Sequence, residues 1–149
     1  MVSITERKES TDGSVKYSLE TGNGNPLEAI YFAYEGQRHH QPIKINTICL
    51  STQSGCNIGC GSCATGLEGL FANLSANEIL QQAELIQEDL SKNGKEEARS
   101  YALMGMGEPL LNLKNVKNFY KLVTEGKREI EPISLSTIGI PSKIKDLAD

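Results

Sequence analysis

The stretch CLSTQSGCNIGCGSCATG, residues 49–66, contains all four cysteines of the 149-residue chain. Cys56, Cys60 and Cys63 are spaced C-x3-C-x2-C, and Cys49 lies seven residues before Cys56. The glycines between them permit the tight turns that a loop needs to wrap around a bound group. Short runs of thiolates are how proteins hold iron–sulfur clusters, so the spacing favours a cluster with three protein ligands and one open iron.

Two other interpretations of the cysteines remain open on spacing alone. A structural zinc ion with Cys49 as its fourth ligand is one, although such sites normally use two separated pairs of ligands. A disulfide is the other, and it would be typical of an oxidising compartment. Residues 1–7 show no signal peptide, so we expect a cytoplasmic protein.

Length and composition are those of one soluble globular domain, with 38% hydrophobic and 23% charged residues. No apolar run approaches the roughly 20 residues of a membrane helix, so we expect no membrane association. The net charge is −4 and the lysines are scattered. This charge is not typical of a protein that binds nucleic acid strongly on its own.

Alternating and turn-forming residues predict the first half of the chain. We expect a flexible lead-in over residues 1–14, a β-hairpin over 15–34, and a polar loop from Glu35 to Pro42 whose His39 and His40 are solvated. Ile43–Leu50 is β-branched and apolar, which predicts a strand that delivers Cys49 and the cluster loop (residues 49–66) at its carboxyl end. From the sequence alone, Glu28 would be a solvent-facing strand residue and Cys49 a small buried one.

The second half alternates helices with strands. Ser75 and Glu78 predict a capping box at the start of a helix that ends near Asn93. The strand 101–104 leads into the turn 105–109, which is either a ligand turn or an ordinary strand-to-helix connection. A helix over 113–124, a strand over 133–137 and a helix from Pro141 complete the pattern. The core face predicted for the 113–124 helix is Leu113, Val116, Phe119, Tyr120 and Val123. This order predicts an α/β fold with parallel strands.

Several segments together resemble one branch of the radical S-adenosylmethionine (SAM) superfamily, namely the dual-specificity adenine-2-methyltransferases of ribosomal and transfer RNA with their relatives that methylate carbon 8. The resemblance is collinear over residues 12–149. The segments that carry it are C-x-S-T-Q-x-G-C (49–56), C-x2-C-A-T-G (60–66), N-L-S-A-x-E-I (73–79), M-G-M-G-E-P-L-L-N (104–112) and L-S-T-x-G (135–139).

The resemblance implies a fold and a set of site residues. The fold is a partial (β/α) barrel in which residues 15–149 are the first part of the radical SAM domain: a hairpin (15–34) and about three βα units (43–149), an incomplete half-barrel. Cys56, Cys60 and Cys63 would hold a 4Fe-4S cluster. The residues that would contact SAM are Gly107 and Glu108, at its amino group, and Ser136. The two catalytic residues implied are Glu28 as proton acceptor and Cys49 as the cysteine whose disulfide releases the product.

The resemblance also implies a reaction that this sequence cannot complete with its own cysteines. In the family, the reduced cluster cleaves SAM to a 5′-deoxyadenosyl radical, which activates a methyl group carried on a further cysteine. No residue matches that methyl carrier, so we expect a truncated or split member, or an inactive cofactor-binding remnant or partner subunit. The partners implied are ribosomal or transfer RNA, an electron donor such as flavodoxin, and a second chain that completes the barrel.

Overall fold

The computed structural model describes residues 1–38, 41–126 and 133–148. A short 3-10 helix spans Pro109–Asn112. The strands are β1 Ser3–Glu9, β2 Val15–Glu20, β3 Pro26–Arg38, β4 Gln41–Cys49, β5 Gln53–Gly55, β6 Leu70–Asn73, β7 Ser100–Leu103 and β8 Ser134–Leu135. The helices are α1 Ala64–Glu68, α2 Ala76–Lys92, α3 Leu113–Glu125 and α4 Pro141–Ala148.

Six strands form the main sheet in the order β1-β2-β3-β4-β7-β8. The first four pair antiparallel, whereas β4, β7 and β8 pair parallel. The segment between β4 and β7 contains α2, and the segment between β7 and β8 contains α3. Parallel neighbours require such crossovers, so the predicted α/β class with parallel strands is confirmed. The short strands β5 and β6 form a separate hairpin, and β5 lies within the cluster loop.

The core lies between one face of the main sheet and helices α2 and α3. Alternate strand residues are almost fully buried there, and each helix contributes one apolar stripe. The strand residues are Tyr17, Leu19, Leu27, Ala29, Tyr31, Ile48, Tyr101 and Leu103. The helix residues are Ile79, Ala83, Ile86, Leu90, Val116, Phe119 and Val123. The intervening strand residues therefore lie on the opposite face, which we call the open face.

The expected lead-in over residues 1–14 is instead largely a strand, so that expectation was wrong for Ser3–Glu9. Strand β1 pairs with β2 along its length. The sequence of β1 shows no clear alternation of polar and apolar residues. Long-range contacts hold this strand in place. Val2 is buried and its N–H donates to Gln81 of α2, while Arg7 donates to Asp89 of the same helix.

The polar loop expected at 35–42 is also mostly strand. Strands β3 and β4 pair as far as Arg38 and Gln41. An antiparallel ladder satisfies backbone groups whatever the side chains, so polar composition did not mark its end. His39 and His40 lie outside the described residues.

Local sequence patterns predicted the helices more accurately than they predicted the strands at the start of the chain. The predicted capping box is present, with Glu78 N–H donating to Ser75 Oγ and Ser75 N–H donating to the Glu78 carboxylate. In α3 the predicted core face is right for three members, but Tyr120 is 55% exposed. Strand β8 covers two of the five residues expected. Among the described residues, none of the helices has both the length and the apolarity to cross a bilayer.

Candidate cofactor site

Three loops meet at one edge of the main sheet. They follow the carboxyl ends of the parallel strands β4, β7 and β8, and they contain residues 50–63, 104–109 and 136–140. In α/β sheets, ligands bind at this edge. Every residue that the sequence analysis assigned to a cofactor lies in one of these loops.

The cluster loop leaves the sheet through the hairpin β5–β6. The N–H of Cys56 donates to the carbonyl of Gly69 at 2.8 Å. Gly55 has φ +73°, and a Cβ there would lie 2.0 Å from the same carbonyl oxygen, so only glycine fits. Beyond this point Cys60 and Cys63 form an exposed turn, in which Cys63 N–H donates to the Cys60 carbonyl.

The three loop cysteines are neighbours in sequence but are not gathered around one point. Within the described ranges, no three histidine, cysteine, aspartate or glutamate side chains are grouped closely enough to share a metal ion. Cys56 is buried, Cys60 and Cys63 are exposed, and none of the four cysteines is in a disulfide. The disulfide alternative is therefore not observed.

The donor set nonetheless fits an iron–sulfur cluster. Three thiols stand on one loop, and residues 59–64 between and beside them are exposed. Thiolate ligation of this kind suits iron–sulfur clusters. Because the thiols are not grouped in this structure, cluster binding would require the exposed Cys60 and Cys63 to move toward Cys56.

Hydrogen bonds attach the turn after β7 to the first residues of the cluster loop. Met106 N–H donates to Ser51 Oγ at 2.9 Å, and its carbonyl accepts from the N–H groups of Thr52 and Gln53. Gly105 and Gly107 permit this approach. A Cβ on Gly105 would lie 2.8 Å from the Leu50 carbonyl group, and one on Gly107 would lie 2.5 Å from Gln53 Cβ.

Glu108 is 4% exposed, and its carboxylate accepts three hydrogen bonds. One comes from Leu110 N–H at 2.9 Å in its own turn. The other two come from the loop after β8, from Thr137 Oγ1 at 2.5 Å and Ile138 N–H at 3.0 Å. The carboxylate therefore ties the turn after β7 to the loop that contains Ser136.

Glu28 and Cys49 lie on the open face. Glu28 alternates with the buried Leu27 and Ala29 in β3, and its side chain is half exposed. Lys16 on β2 pairs with it at 2.7 Å. Cys49 is paired with Ile30 in the register of β3 and β4, and burial raises the pKa of its thiol. Ser136 directly follows β8 and is exposed.

Comparison with known proteins shows which proteins this chain resembles. A scan of family models found no match. Proteins named "probable dual-specificity RNA methyltransferase RlmN" from Pseudothermotoga lettingae and Thermus thermophilus are 38% and 41% identical to this chain, over 98% and 99% of its length. The dual-specificity RNA methyltransferase RlmN of Cereibacter sphaeroides is 36% identical over 98% of the chain. Over the length that it spans, the chain is similar to these RlmN proteins at 36–41% identity.

A solved structure of a related enzyme also resembles this chain. A radical SAM methyltransferase from Sphaerobacter thermophilus superposes with a TM-score of 0.82 at 27% identity, over 99% of this chain and 42% of that protein. The predicted fold, a partial radical SAM barrel, is thereby confirmed. The chain spans about 40% of the length of the RlmN relatives.

Sequence reasoning missed the polar residues that connect the loops of this segment. Residues Ser51–Ser54 are polar yet fully or almost fully buried. Gln82 of α2 accepts from Ser51 N–H and donates to its carbonyl, so it holds that peptide from both sides. Asn112 donates to the carbonyls of Thr52 and Leu74. The sequence did contain one signal, namely a run of polar residues directly after a buried strand. If such a run is buried, its polar groups need hydrogen-bond partners elsewhere in the protein.

Proposed function

We propose that this chain binds a 4Fe-4S cluster and SAM as the cofactor-binding part of a methyltransferase that acts on adenine in ribosomal RNA and transfer RNA. Cys56, Cys60 and Cys63 would ligate the cluster. SAM would contact Gly107, Glu108 and Ser136. The observation that carries the proposal is that the three strand-end loops meet at one sheet edge. The Glu108 carboxylate, in the turn after β7, bonds within its own turn and to the loop after β8.

Bound together, the cluster and SAM supply one-electron cleavage of a sulfonium and a radical able to abstract hydrogen. The residues of the chain bind and orient these groups. Glu28 on the open face has a carboxylate that can accept a proton at Oε1 or Oε2, and the Lys16 ammonium balances its charge. Cys49 Sγ offers the thiol that product release by disulfide formation requires.

The cysteine count favours a second candidate, cofactor binding without methyl transfer by the segment alone. Three of the four cysteines are assigned to the cluster and Cys49 to product release, so the methyl carrier would have to come from outside these 149 residues. In this proposal the remainder of a barrel, whether from the same or a second chain, completes the enzyme. Flavodoxin or a similar donor would supply the electron, in the cytoplasm where the RNA substrates are found.

The test is anaerobic reconstitution with iron and sulfide, followed by metal analysis. We expect about four irons per chain and 5′-deoxyadenosine when SAM and a reductant are added. Cys60→Ala and Cys63→Ala should lose the iron, whereas Cys49→Ala is the matched control and should keep it. Stoichiometric zinc in place of iron, or full iron retention by Cys60→Ala, would contradict the proposal.

The two candidates predict different results with RNA. If the segment alone binds cofactors without transferring a methyl group, mass spectrometry of adenine from ribosomal RNA incubated with the reconstituted chain should show no methylation. Adding a relative's complementary segment, with its further cysteine, should restore it. Methylation by the chain alone would show that the four cysteines suffice.

A further inference from the structure

Gln53 lies in the cluster loop, next to the turn after β7, and it is fully buried. Its Oε1 accepts from the backbone N–H of Glu108 at 2.8 Å. Its Nε2 donates to Asn73 Oδ1 at 2.6 Å, on β6. A buried amide with both ends bonded is held in one orientation, because any other would leave polar groups unpaired.

The bond to Glu108 fixes more than one atom. The N–H of Glu108 and the carbonyl of Gly107 belong to the same peptide, which is planar, and the described residues contain no cis peptide bond. In a trans peptide the N–H and C=O point in opposite directions. Since Gln53 holds the N–H, the Gly107 carbonyl oxygen is turned away from Gln53.

On its Gly107 side, this peptide has little steric restraint. Gly107 has φ +97° and no Cβ, so the peptide could rotate at low steric cost if the bond were lost. In the part of the chain that the structure describes, no hydrogen bond is recorded to the Gly107 carbonyl oxygen. Gly107 is partly exposed, whereas the neighbouring Glu108 is buried.

The Glu108 carboxylate alone is a poor partner for an ammonium group. It already accepts three hydrogen bonds, and a carboxylate offers about four acceptor positions. An ammonium has three N–H donors, so about two of them need other acceptors. The Gly107 carbonyl is the adjacent one.

We propose that Gln53 is a positioning residue that aims the Gly107 carbonyl at the ammonium group of SAM. The inference rests on the proposed function, of which it specifies one contact. It predicts that Gln53 contributes to recognition of the amino group and contributes little to the remainder of the ligand.

The experiment combines changes in the protein with a change in the ligand. Gln53→Met keeps the length of the side chain and removes the acceptor, and Gln53→Asn keeps an amide but shortens its reach. Gln53→Glu keeps the acceptor, since the amide of Asn73 can rotate to donate. Binding of SAM and of an analogue without the α-amino group is measured by equilibrium dialysis on anaerobically reconstituted protein.

We expect Gln53→Met and Gln53→Asn to weaken SAM binding about tenfold, the size of one hydrogen bond to a charged group, and to change analogue binding less than about twofold. Gln53→Glu should restore most of the SAM affinity. Gln87→Met is the matched control, because the Gln87 amide also bonds at both ends, to the N–H and carbonyl of Ala98 before β7, and affinity for both ligands should stay near that of the unchanged protein.

The outcomes separate this inference from the function on which it rests. Equal weakening of both ligands would assign Gln53 a merely structural role and overturn the inference, as would unchanged SAM binding. Gln53→Asn decides the matter if Gln53→Met does not fold. If the unchanged protein binds iron but no SAM, or neither, the proposed function fails first and the inference with it.

Discussion

Cys49 is the last residue of β4. Burial raises the pKa of its thiol, although a backbone hydrogen bond from Met104 opposes the shift. Because the thiolate is the nucleophile, a raised pKa leaves less of it at neutral pH. We therefore expect iodoacetamide at pH 7.5 to label Cys49 more slowly than the exposed Cys60 and Cys63, as measured by peptide mass spectrometry without cluster.

The dependence of the labelling rate on pH separates the pKa from simple access. The midpoint for Cys49 should lie above the value of about 8.5 for an unperturbed thiol, and in urea it should return to that value. The folded state keeps the thiol proton to higher pH than the unfolded state does. The free energy of unfolding should therefore fall as pH rises from the unfolded-state pKa of the thiol through its folded-state pKa. A folded midpoint at or below about 8.5 would contradict the assignment.

Individual residues also show where sequence information stops. The cysteine spacing and the Gly107–Glu108 pair are local patterns, and the sequence identified both as candidates. The partners of Glu108 are 29 and 30 positions away in Thr137 and Ile138, and Gln53 is 55 positions away. No periodicity encodes such contacts, so the bonds that position these residues became visible only in the fold.

Among the elements, β1 depends on α2 for its position. Arg7 Nε and Tyr17 OH both donate to Asp89 Oδ2, at 2.9 and 2.7 Å. Burial and the Asp89 carboxylate together raise the pKa of Tyr17, so the phenol stays protonated as a donor. We expect Asp89→Ala to lower the free energy of unfolding by about 2 kcal/mol, because it leaves a buried hydroxyl without its acceptor. Urea unfolding followed by circular dichroism measures this loss.

The control is an ion pair on the same strand. Glu6 and Lys8 are 3.1 Å apart but more than half exposed. Glu6→Ala should change stability by less than about 0.5 kcal/mol, as exposed pairs generally do. If Asp89→Ala cost no more than Glu6→Ala, the attachment of β1 to α2 would have to come from elsewhere, with the burial of Val2 the next candidate.

Local and long-range stabilisation explain which elements were predictable. Helix α2 has its cap and apolar stripe within its own sequence, and its start was predicted to the residue. Strand β1 has neither, since its order comes from β2 and α2. Strand β8 is shorter than its β-branched and apolar sequence suggested, because it pairs with β7 at only two positions.

At the scale of the whole molecule, the sheet has a packed face and an open face. Helices α2 and α3 cover one face with apolar side chains, while Glu28 and Cys49 lie on the other. The order of strands and helices along the chain is a pattern that sequence reveals well, which is why the α/β class was predictable. The joining of the strand-end loops was not, because it depends on buried side chains that carry no periodic signal.

The joining of these loops predicts a coupled response to SAM. Since the Glu108 carboxylate bonds to both Thr137 and Ile138, a ligand that orders the turn after β7 should also order the loop after β8. Hydrogen exchange of the reconstituted protein, followed by mass spectrometry, should show SAM slowing exchange in segments 104–110 and 134–140 together. Without SAM, 134–140 should exchange faster than β7, because β8 is a two-residue edge strand.

Thr137→Val tests whether Glu108 transmits this coupling. The change removes the hydroxyl that donates to Glu108 and keeps the β-branched shape, so SAM should still protect 104–110 but protect 134–140 less. Thr124→Val is the matched control, because Thr124 Oγ1 donates only to carbonyls within α3, and the coupling should persist there. Equal protection of both segments in Thr137→Val would show that the Thr137 hydroxyl does not transmit the coupling, which would then have to pass through the bond from Ile138 N–H to Glu108 or through the ligand. Protection confined to 104–110 in the unchanged protein would show that they respond independently.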